Sequence, residues 1–223
     1  MSKQKGCQKM EREKIYQYVD HTALKPYTTW EDITKLCEEA ILHHTASVCI
    51  PSCYVKRVCD TYGEKLRVCT VVGFPLGYTN TAGKVAETAQ ALEDGAEEID
   101  MVINLCDVKN KDYQAVEDEI RTLKNTVGDK VLKVIIETCY LTEEEKIAMC
   151  QAVTNAGADF IKTSTGFGTA GATLEDVKLM KEQVGPQVKI KAAGGIRTRE
   201  DMESYIEAGC HRIGCSAAVD ALG

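Results

Sequence analysis

The chain has 223 residues, 44% of them hydrophobic, and its 27 Lys and Arg against 34 Asp and Glu leave a net charge of −7. That length supports one sizeable core rather than two, and with no basic run and no long apolar stretch the sequence excludes a nucleic-acid face and a membrane span. Eleven cysteines without a Cys-x-x-Cys, and four histidines in no ligand pattern, argue against disulfide and zinc scaffolds and for a reduced, cytoplasmic protein without a metal, most of whose thiols act as small buried hydrophobes.

A polar stretch, residues 1–10, carries no apolar signal core. Residues 11–17 form a short charged helix candidate, and the strand 18–21 ends beside Asp20 and Thr22. A helix is predicted over 29–43, where Ile33, Leu36, Cys37, Ala40 and Ile41 recur at helical spacing. The strand 47–50 stops at Pro51, a helix follows over 54–62, and a strand over 67–72 leads into the breaker-rich loop 73–77. Helix 81–94 puts Val85, Ala89 and Leu92 on one stripe, and strand 98–103 alternates Ile99, Met101 and Ile103 with Asp100, Val102 and Asn104. A carboxylate therefore points away from the helix-covered side of that strand. Helix 112–127, strand 131–136 and helix 142–156 come next, the last opened by the capping box Thr142 to Glu145. Lys133 interrupts its otherwise apolar strand. Residues 159–161 read as a short strand running into Lys162, followed by the glycine-rich loop 166–171, helix 173–183, strand 188–192, the turn Gly194–Gly195, helix 198–208 and strand 212–215.

Eight strands separated by helices, in about the length of a minimal closed barrel, predict a (β/α)8 TIM barrel as a single domain over 1–223, with a short N-terminal helix. An open doubly wound sheet is the alternative, but no early strand is followed by Gly-x-Gly-x-x-Gly.

Barrel chemistry gathers at the C-terminal ends of the strands. Asp20, Cys49, Asp100, Lys133, Lys162, Lys191 and Ser216 fall inside or just past such ends. Strands six and seven are each predicted to finish on a lysine, Lys162 and Lys191. Two ammonium groups in one water-poor mouth should lower one pKa, which prepares an amine nucleophile. Bland readings stand beside these. Lys162 could snorkel to water, Lys189 shares the parity of Lys191 but lies nearer the opposite rim, and Asp100 could be a simple ion-pair partner. Gly194–Gly195 and the run Gly214, Cys215, Ser216 offer backbone N–H groups to a phosphate, or merely make tight turns.

Across nearly its whole length the sequence resembles the deoxyribose-phosphate aldolases, which are class I aldolases. The resemblance rests on Asp20-His-Thr22, Val48-Cys-Ile-Pro51, Val71-Val-Gly-Phe-Pro-Leu-Gly77, Glu98-Ile-Asp-Met-Val-Ile-Asn104, Lys133-Val-Ile-Ile-Glu-Thr138, Phe160-Ile-Lys-Thr-Ser-Thr-Gly166, Lys191-Ala-Ala-Gly-Gly-Ile-Arg197 and Arg212-Ile-Gly214. It implies a TIM barrel without metal or cofactor that reversibly cleaves 2-deoxy-D-ribose 5-phosphate to acetaldehyde and D-glyceraldehyde 3-phosphate, in deoxyribonucleotide catabolism. It also implies a homo-oligomer, with a dimer favoured. Carried over by residue, Lys162 is the Schiff-base lysine, Lys191 the neighbour that lowers its pKa, and Asp100 the acid and base acting through a water. Asp20, Lys133 and Thr165 support the hydroxyl and proton network, and Cys49 lines the pocket. Gly166, Gly194, Gly195, Gly214 and Ser216 contact phosphate.

Two departures qualify the match. Ala217 stands where many members carry a second serine, a loss of about 0.5–1.5 kcal/mol if one neutral hydrogen bond is missing. The sequence given ends at Gly223, without the terminal tyrosine tail of some longer members. Two other functions fit a barrel with these residues. One is an isomerase using Asp20 and Asp100 as acid and base, and the other is a non-enzymatic binder of phosphorylated metabolites. Cys49 is open to two readings, an aldehyde-reactive thiolate or a buried packing residue.

Overall fold

Eight short strands, each with one apolar side, cover all those sides at once when they pair in parallel and close under a ring of helices. The computed structural model describes residues 10–223; residues 1–9, with Cys7 and most of the polar N-terminal stretch, lie outside the described residues. In it β1 (Val19–Thr22), β2 (Ser47–Ile50), β3 (Val68–Val72), β4 (Glu98–Val102), β5 (Val131–Ile135), β6 (Phe160–Lys162), β7 (Lys189–Ala193) and β8 (Arg212–Cys215) form a closed barrel in chain order. All eight pairings are parallel, β8 with β1 included. The chain thus adopts the predicted (β/α)8 architecture.

Helix α1 (Arg12–Tyr16) precedes the barrel. The helices that follow are α2 (Trp30–His43), α3 (Val55–Tyr62), α4 (Thr81–Glu93), α5 (Leu105–Lys109), α6 (Tyr113–Val127), α7 (Glu143–Asn155), α8 (Leu174–Gln183), α9 (Arg199–Ala208) and α10 (Ala218–Leu222). Their starts are chemically marked. The Thr142 hydroxyl accepts from the Glu145 N–H at 3.3 Å and the Glu145 carboxylate accepts from the Thr142 N–H at 2.8 Å, as the capping box predicts. Thr29 and Asp32 make the same reciprocal pair ahead of α2. Each such cap stabilises its helix by about 0.5–2 kcal/mol.

Three expectations are corrected. The stretch between the predicted strand 98–103 and helix 112–127 contains α5, started by the Asn104 side chain accepting from the Cys106 N–H at 3.1 Å. Asn104 is a helix cap, not a strand residue, and five residues are too few to give a periodic apolar signal. On α4 the buried residues are Lys84, Thr88 and Ala91, while Ala89 is exposed. The stripe turns because the Lys84 Nζ donates to the Val102 carbonyl at 2.8 Å and pairs with the Glu119 carboxylate at 2.8 Å. A hydropathy pattern assigns every lysine to solvent, so a buried, fully paired one inverts it. Finally, Lys191 is the middle residue of β7 and not its last, because the strand runs on through Ala193.

The apolar core lies between barrel and helices. Val48, Ile99, Leu132, Ile161, Ile190 and Ile213 point outward into one cluster with Ile33, Leu36, Ile120, Val153 and Val177 of the helices. Barrel interiors are usually filled by branched apolar side chains. Here period-2 alternation sends Glu98, Asp100, Lys133, Lys162, Lys191 and Arg212 inward instead.

Candidate active site

Strand register brings the charges together. Asp100 faces Lys133 across β4 and β5, Lys162 faces Lys191 across β6 and β7, and Lys191 faces Arg212 across β7 and β8. The Lys162 Nζ lies 2.8 Å from Asp100 Oδ2, and the Lys191 Nζ lies 2.7 Å from the same oxygen and 2.5 Å from Asp20 Oδ2. Lys133 reaches Asp100 Oδ1 at 2.8 Å, Glu98 at 2.6 Å and Asp20 at 3.6 Å. Beneath these, Arg212 pairs with Glu98 at 2.7 Å and with Asp20. Gly214 is what admits Lys191: a Cβ there would sit 3.3 Å from Lys191 Cε and 3.0 Å from Ala193 Cβ. Lys189, by contrast, is exposed at the first position of β7, on the far rim.

Four cations, Lys133, Lys162, Lys191 and Arg212, thus meet three carboxylates, Asp20, Glu98 and Asp100, with Arg67 reaching Glu98 at 3.8 Å from a half-exposed position. Lys191 is the neighbour expected to lower the pKa of Lys162, a role that needs it charged. Burial opposes its charge, but the Asp100 and Asp20 carboxylates outweigh burial and hold it above the ordinary lysine value. Lys133 is likewise held well above that value, burial being outweighed by Asp100 and its other anionic neighbours. Burial alone would raise Asp100, yet Lys133, Lys162 and Lys191 hold it well below the usual carboxylate range, and Lys191, Lys133 and Arg212 do the same for Asp20.

These shifts fix a pH dependence. A carboxylate with a depressed native pKa contributes fully above its unfolded value, about 3.9, and loses its contribution as pH falls through the native pKa; a lysine with a raised pKa contributes fully below about 10.4 and loses it as pH rises through the native pKa. Unfolding midpoints are therefore expected to form a plateau between about pH 5 and pH 9 and to fall on both flanks. A midpoint that climbs steadily across that window in thermal scans would contradict the pairing.

Above the cluster opens a cavity of about 700 Å³ lined by Lys162, Thr165, Gly166, Gly194, Gly195, Gly214 and Ser216. Asp20, Cys49, Asp100, Lys133 and Lys191 are fully buried beneath it. Cys49 does not reach the cavity wall; it packs with Cys69 and Val71 under Leu24 and Phe74. Two glycine loops meet backbone to backbone at the rim. The Ala172 N–H donates to the carbonyls of Ala193 at 3.0 Å and Gly194 at 3.1 Å, and a Cβ on Gly171 would lie 2.1 Å from the Gly194 oxygen. Just ahead of α9 the Asp201 carboxylate accepts from the N–H groups of Arg197 and Thr198. Ala217, ahead of α10, contributes no side-chain cap.

Four residues at the site escaped the sequence reading. Glu98 and Arg212 share inward parity with Asp100 and Gly214, so the same alternation could have found them. Cys69 faces Cys49 in register across β2 and β3. Glu137, at φ 49°, accepts from the Thr165 N–H at 3.2 Å and from its hydroxyl, while the Phe167 N–H donates to Thr165 Oγ at 3.0 Å. Burial pushes the Glu137 pKa up, and the Thr165 bonds only partly counter it. A left-handed, buried glutamate is a tertiary feature with no local sequence signal.

The pattern of the DeoC/LacD family aldolases matches residues 14–218 of the chain. Over 213 residues the chain is 66% identical to the deoxyribose-phosphate aldolase of Clostridium botulinum (strain Alaska E43 / Type E3), covering 96% of each. Over 208 residues it is 61% identical to that of Clostridioides difficile (strain 630), covering 93% of this chain and 95% of the relative. The solved structure of the tetrameric deoxyribose phosphate aldolase from Aeropyrum pernix matches with a TM-score of 0.86 at 30% identity, covering 95% of this chain and 91% of the other. Among the described residues no helix is long and apolar enough to cross a membrane.

Proposed function

We propose that this chain, which belongs to the DeoC/LacD family of aldolases, runs its chemistry on a Schiff base at Lys162, with Asp100 and Lys191 setting charge and moving protons beside it. Its reaction is the reversible cleavage of 2-deoxy-D-ribose 5-phosphate to D-glyceraldehyde 3-phosphate and acetaldehyde, a carbon–carbon lyase activity. The observation that carries the residue assignment is access. Lys162 lines the cavity, whereas Lys133 and Lys191 are fully buried beneath it. Lys162 also has a single carboxylate contact, Asp100, where Lys191 has two and Lys133 three. With a neutral amine at Lys162, the cations Lys133, Lys191 and Arg212 face the carboxylates Asp20, Glu98 and Asp100.

The steps follow from that arrangement. The neutral amine attacks the aldehyde carbon of the open-chain sugar, and the carbinolamine loses water to give a protonated imine. Asp100, held ionised by the Lys133 and Lys191 ammonium groups beside it, takes the proton of the C3 hydroxyl through a positioned water. The C2–C3 bond breaks, its electrons move into the imine as an enamine, and D-glyceraldehyde 3-phosphate departs. Protonation and hydrolysis of the enamine release acetaldehyde. Asp20, Lys133 and Thr165 support the hydroxyl and proton network, with Cys49 behind the reacting carbon. Gly166, Gly194, Gly195, Gly214 and Ser216 hold the phosphate at the cavity rim, mainly through backbone N–H groups since Ala217 has no hydroxyl.

Residues 1–223 act as one barrel domain within a homo-oligomer, a dimer being favoured. The ten described cysteines are free thiols, which supports a reducing, cytoplasmic setting. Because the imine itself serves as the electron sink, turnover of 2-deoxy-D-ribose 5-phosphate is expected to be unchanged after dialysis against EDTA. Release of both products under those conditions tests the reading, and a chelator-dependent loss restored by a divalent cation would overturn it.

A further inference from the structure

Beneath the cavity lies a pair of thiols that the steps above do not consume. Cys49 and Cys69 are register partners on the adjacent parallel strands β2 and β3, both fully buried. Neighbouring strands run about 4.8 Å apart, inside the Cα separation of about 4.4–6.8 Å that a disulfide spans. Both sulfurs and an Asp100 oxygen lie within 4.8 Å of one another. The Cys69 thiol donates to Asp100 Oδ1 at 3.1 Å, and the Lys133 Nζ stands 3.2 Å from its sulfur. Leu24, which packs against the cluster of Cys49, Cys69 and Val71, also lines the cavity.

We propose that Cys49 and Cys69 form a modification site for small peroxides, which convert the pair to a disulfide and thereby disable the Asp100 cluster reversibly. The two thiols are prepared for different parts. The Cys69 thiol beside it lowers the Cys49 pKa against burial, with Lys191 and Lys162 adding to it, whereas burial and the surrounding anions hold Cys69 well above the ordinary thiol value. Elsewhere in the fold, burial pushes Cys150 and Cys210 up to about 12, which leaves those thiols inert.

The chemistry balances with hydrogen peroxide as the only co-reactant. The Cys49 thiolate attacks one peroxide oxygen, the O–O bond breaks, and the other oxygen leaves as hydroxide. Cys49 becomes a sulfenic acid. Cys69 gives its proton to the hydroxide, its sulfur attacks the Cys49 sulfur, the S–O bond breaks, and the departing hydroxide takes up the proton that Cys49 released on ionising and leaves as water. Two thiols and one peroxide yield one disulfide and two waters. The product no longer has the S–H donor on Asp100 Oδ1, and the Cys69 sulfur is drawn toward β2, away from Lys133.

The effect on activity rests on the aldolase assignment; the cross-link does not. After brief exposure to hydrogen peroxide, alkylation and non-reducing peptide mapping by mass spectrometry are expected to find the peptides of Cys49 and Cys69 joined with the loss of two hydrogens. Turnover should fall at least tenfold in step with the cross-link and return with dithiothreitol. In Cys69→Ala, measured against its own untreated activity, the same dose should carry Cys49 to a sulfinic acid and give a loss that dithiothreitol does not reverse. Both thiols remaining alkylatable at a dose that oxidises the exposed Cys53 and Cys106 would overturn the proposal, as would a complete cross-link that leaves turnover unchanged. If the protein turns over no deoxyribose phosphate at all, the peptide map still decides for or against the dithiol.

Discussion

Lys162→Leu is expected to lower kcat by at least about 10⁴-fold, because loss of a covalent nucleophile removes every step that depends on the intermediate. The same substitution should leave the fold intact. Leucine fills much of the same volume, and Asp100 keeps Lys133 at 2.8 Å and Lys191 at 2.7 Å. The interior then holds three cations and three carboxylates, so no carboxylate is stranded. Breaking a buried pair is costly chiefly when it leaves an unpaired charge, and none is left here. Steady-state assays and thermal scans on the same preparation check both halves. Substantial activity in Lys162→Leu would instead favour acid–base isomerase chemistry on Asp20 and Asp100.

Asp100→Asn should fail in both respects. Turnover is expected to drop by about 10²–10⁴-fold through loss of the proton-transfer group. Stability should fall as well, by about 3–5 kcal/mol, since Lys133, Lys162 and Lys191 lose their shared counter-ion in a buried site. For a chain of this size that corresponds to a decrease in Tm of roughly 6–20 °C. The loss should ease above about pH 9, where crowded ammonium groups surrender a proton more readily than in the wild type. Two substitutions on one ion pair thus have opposite stability signatures, and charge counting is the reason. An Asp100→Asn protein as stable as wild type at neutral pH would show that the three lysines do not depend on this carboxylate.

Most of this architecture was legible in the sequence because its signals are local. Alternating strand and helix patterns predicted the closed barrel, and the box from Thr142 to Glu145 fixed the start of α7. Parity put Asp100 inside, and the resemblance supplied the roles of Lys162 and Lys191. What escaped was set by tertiary pairing. On α4 Val85 and Leu92 pack against the core as expected, but Ala89 is exposed and Lys84 is buried against Glu119, and α5 depends on one Asn104 cap. The carboxylates of Asp20 and Asp100 that hold the Lys191 ammonium group charged come from other strands. Those distances belong to the closed barrel and cannot be read from either strand alone. Glu137 was missed for the same reason, its bonds to Thr165 spanning two strand ends.

The central claim is that Lys162, and no other lysine, carries the covalent intermediate. Incubation with acetaldehyde followed by borohydride reduction converts a Schiff base into a stable N-ethyl lysine, which digestion and mass spectrometry locate. The account predicts one ethyl group, at Lys162, with activity lost in proportion to labelling. Ethylation at Lys133 or Lys191, or inactivation without any label on Lys162, would contradict it.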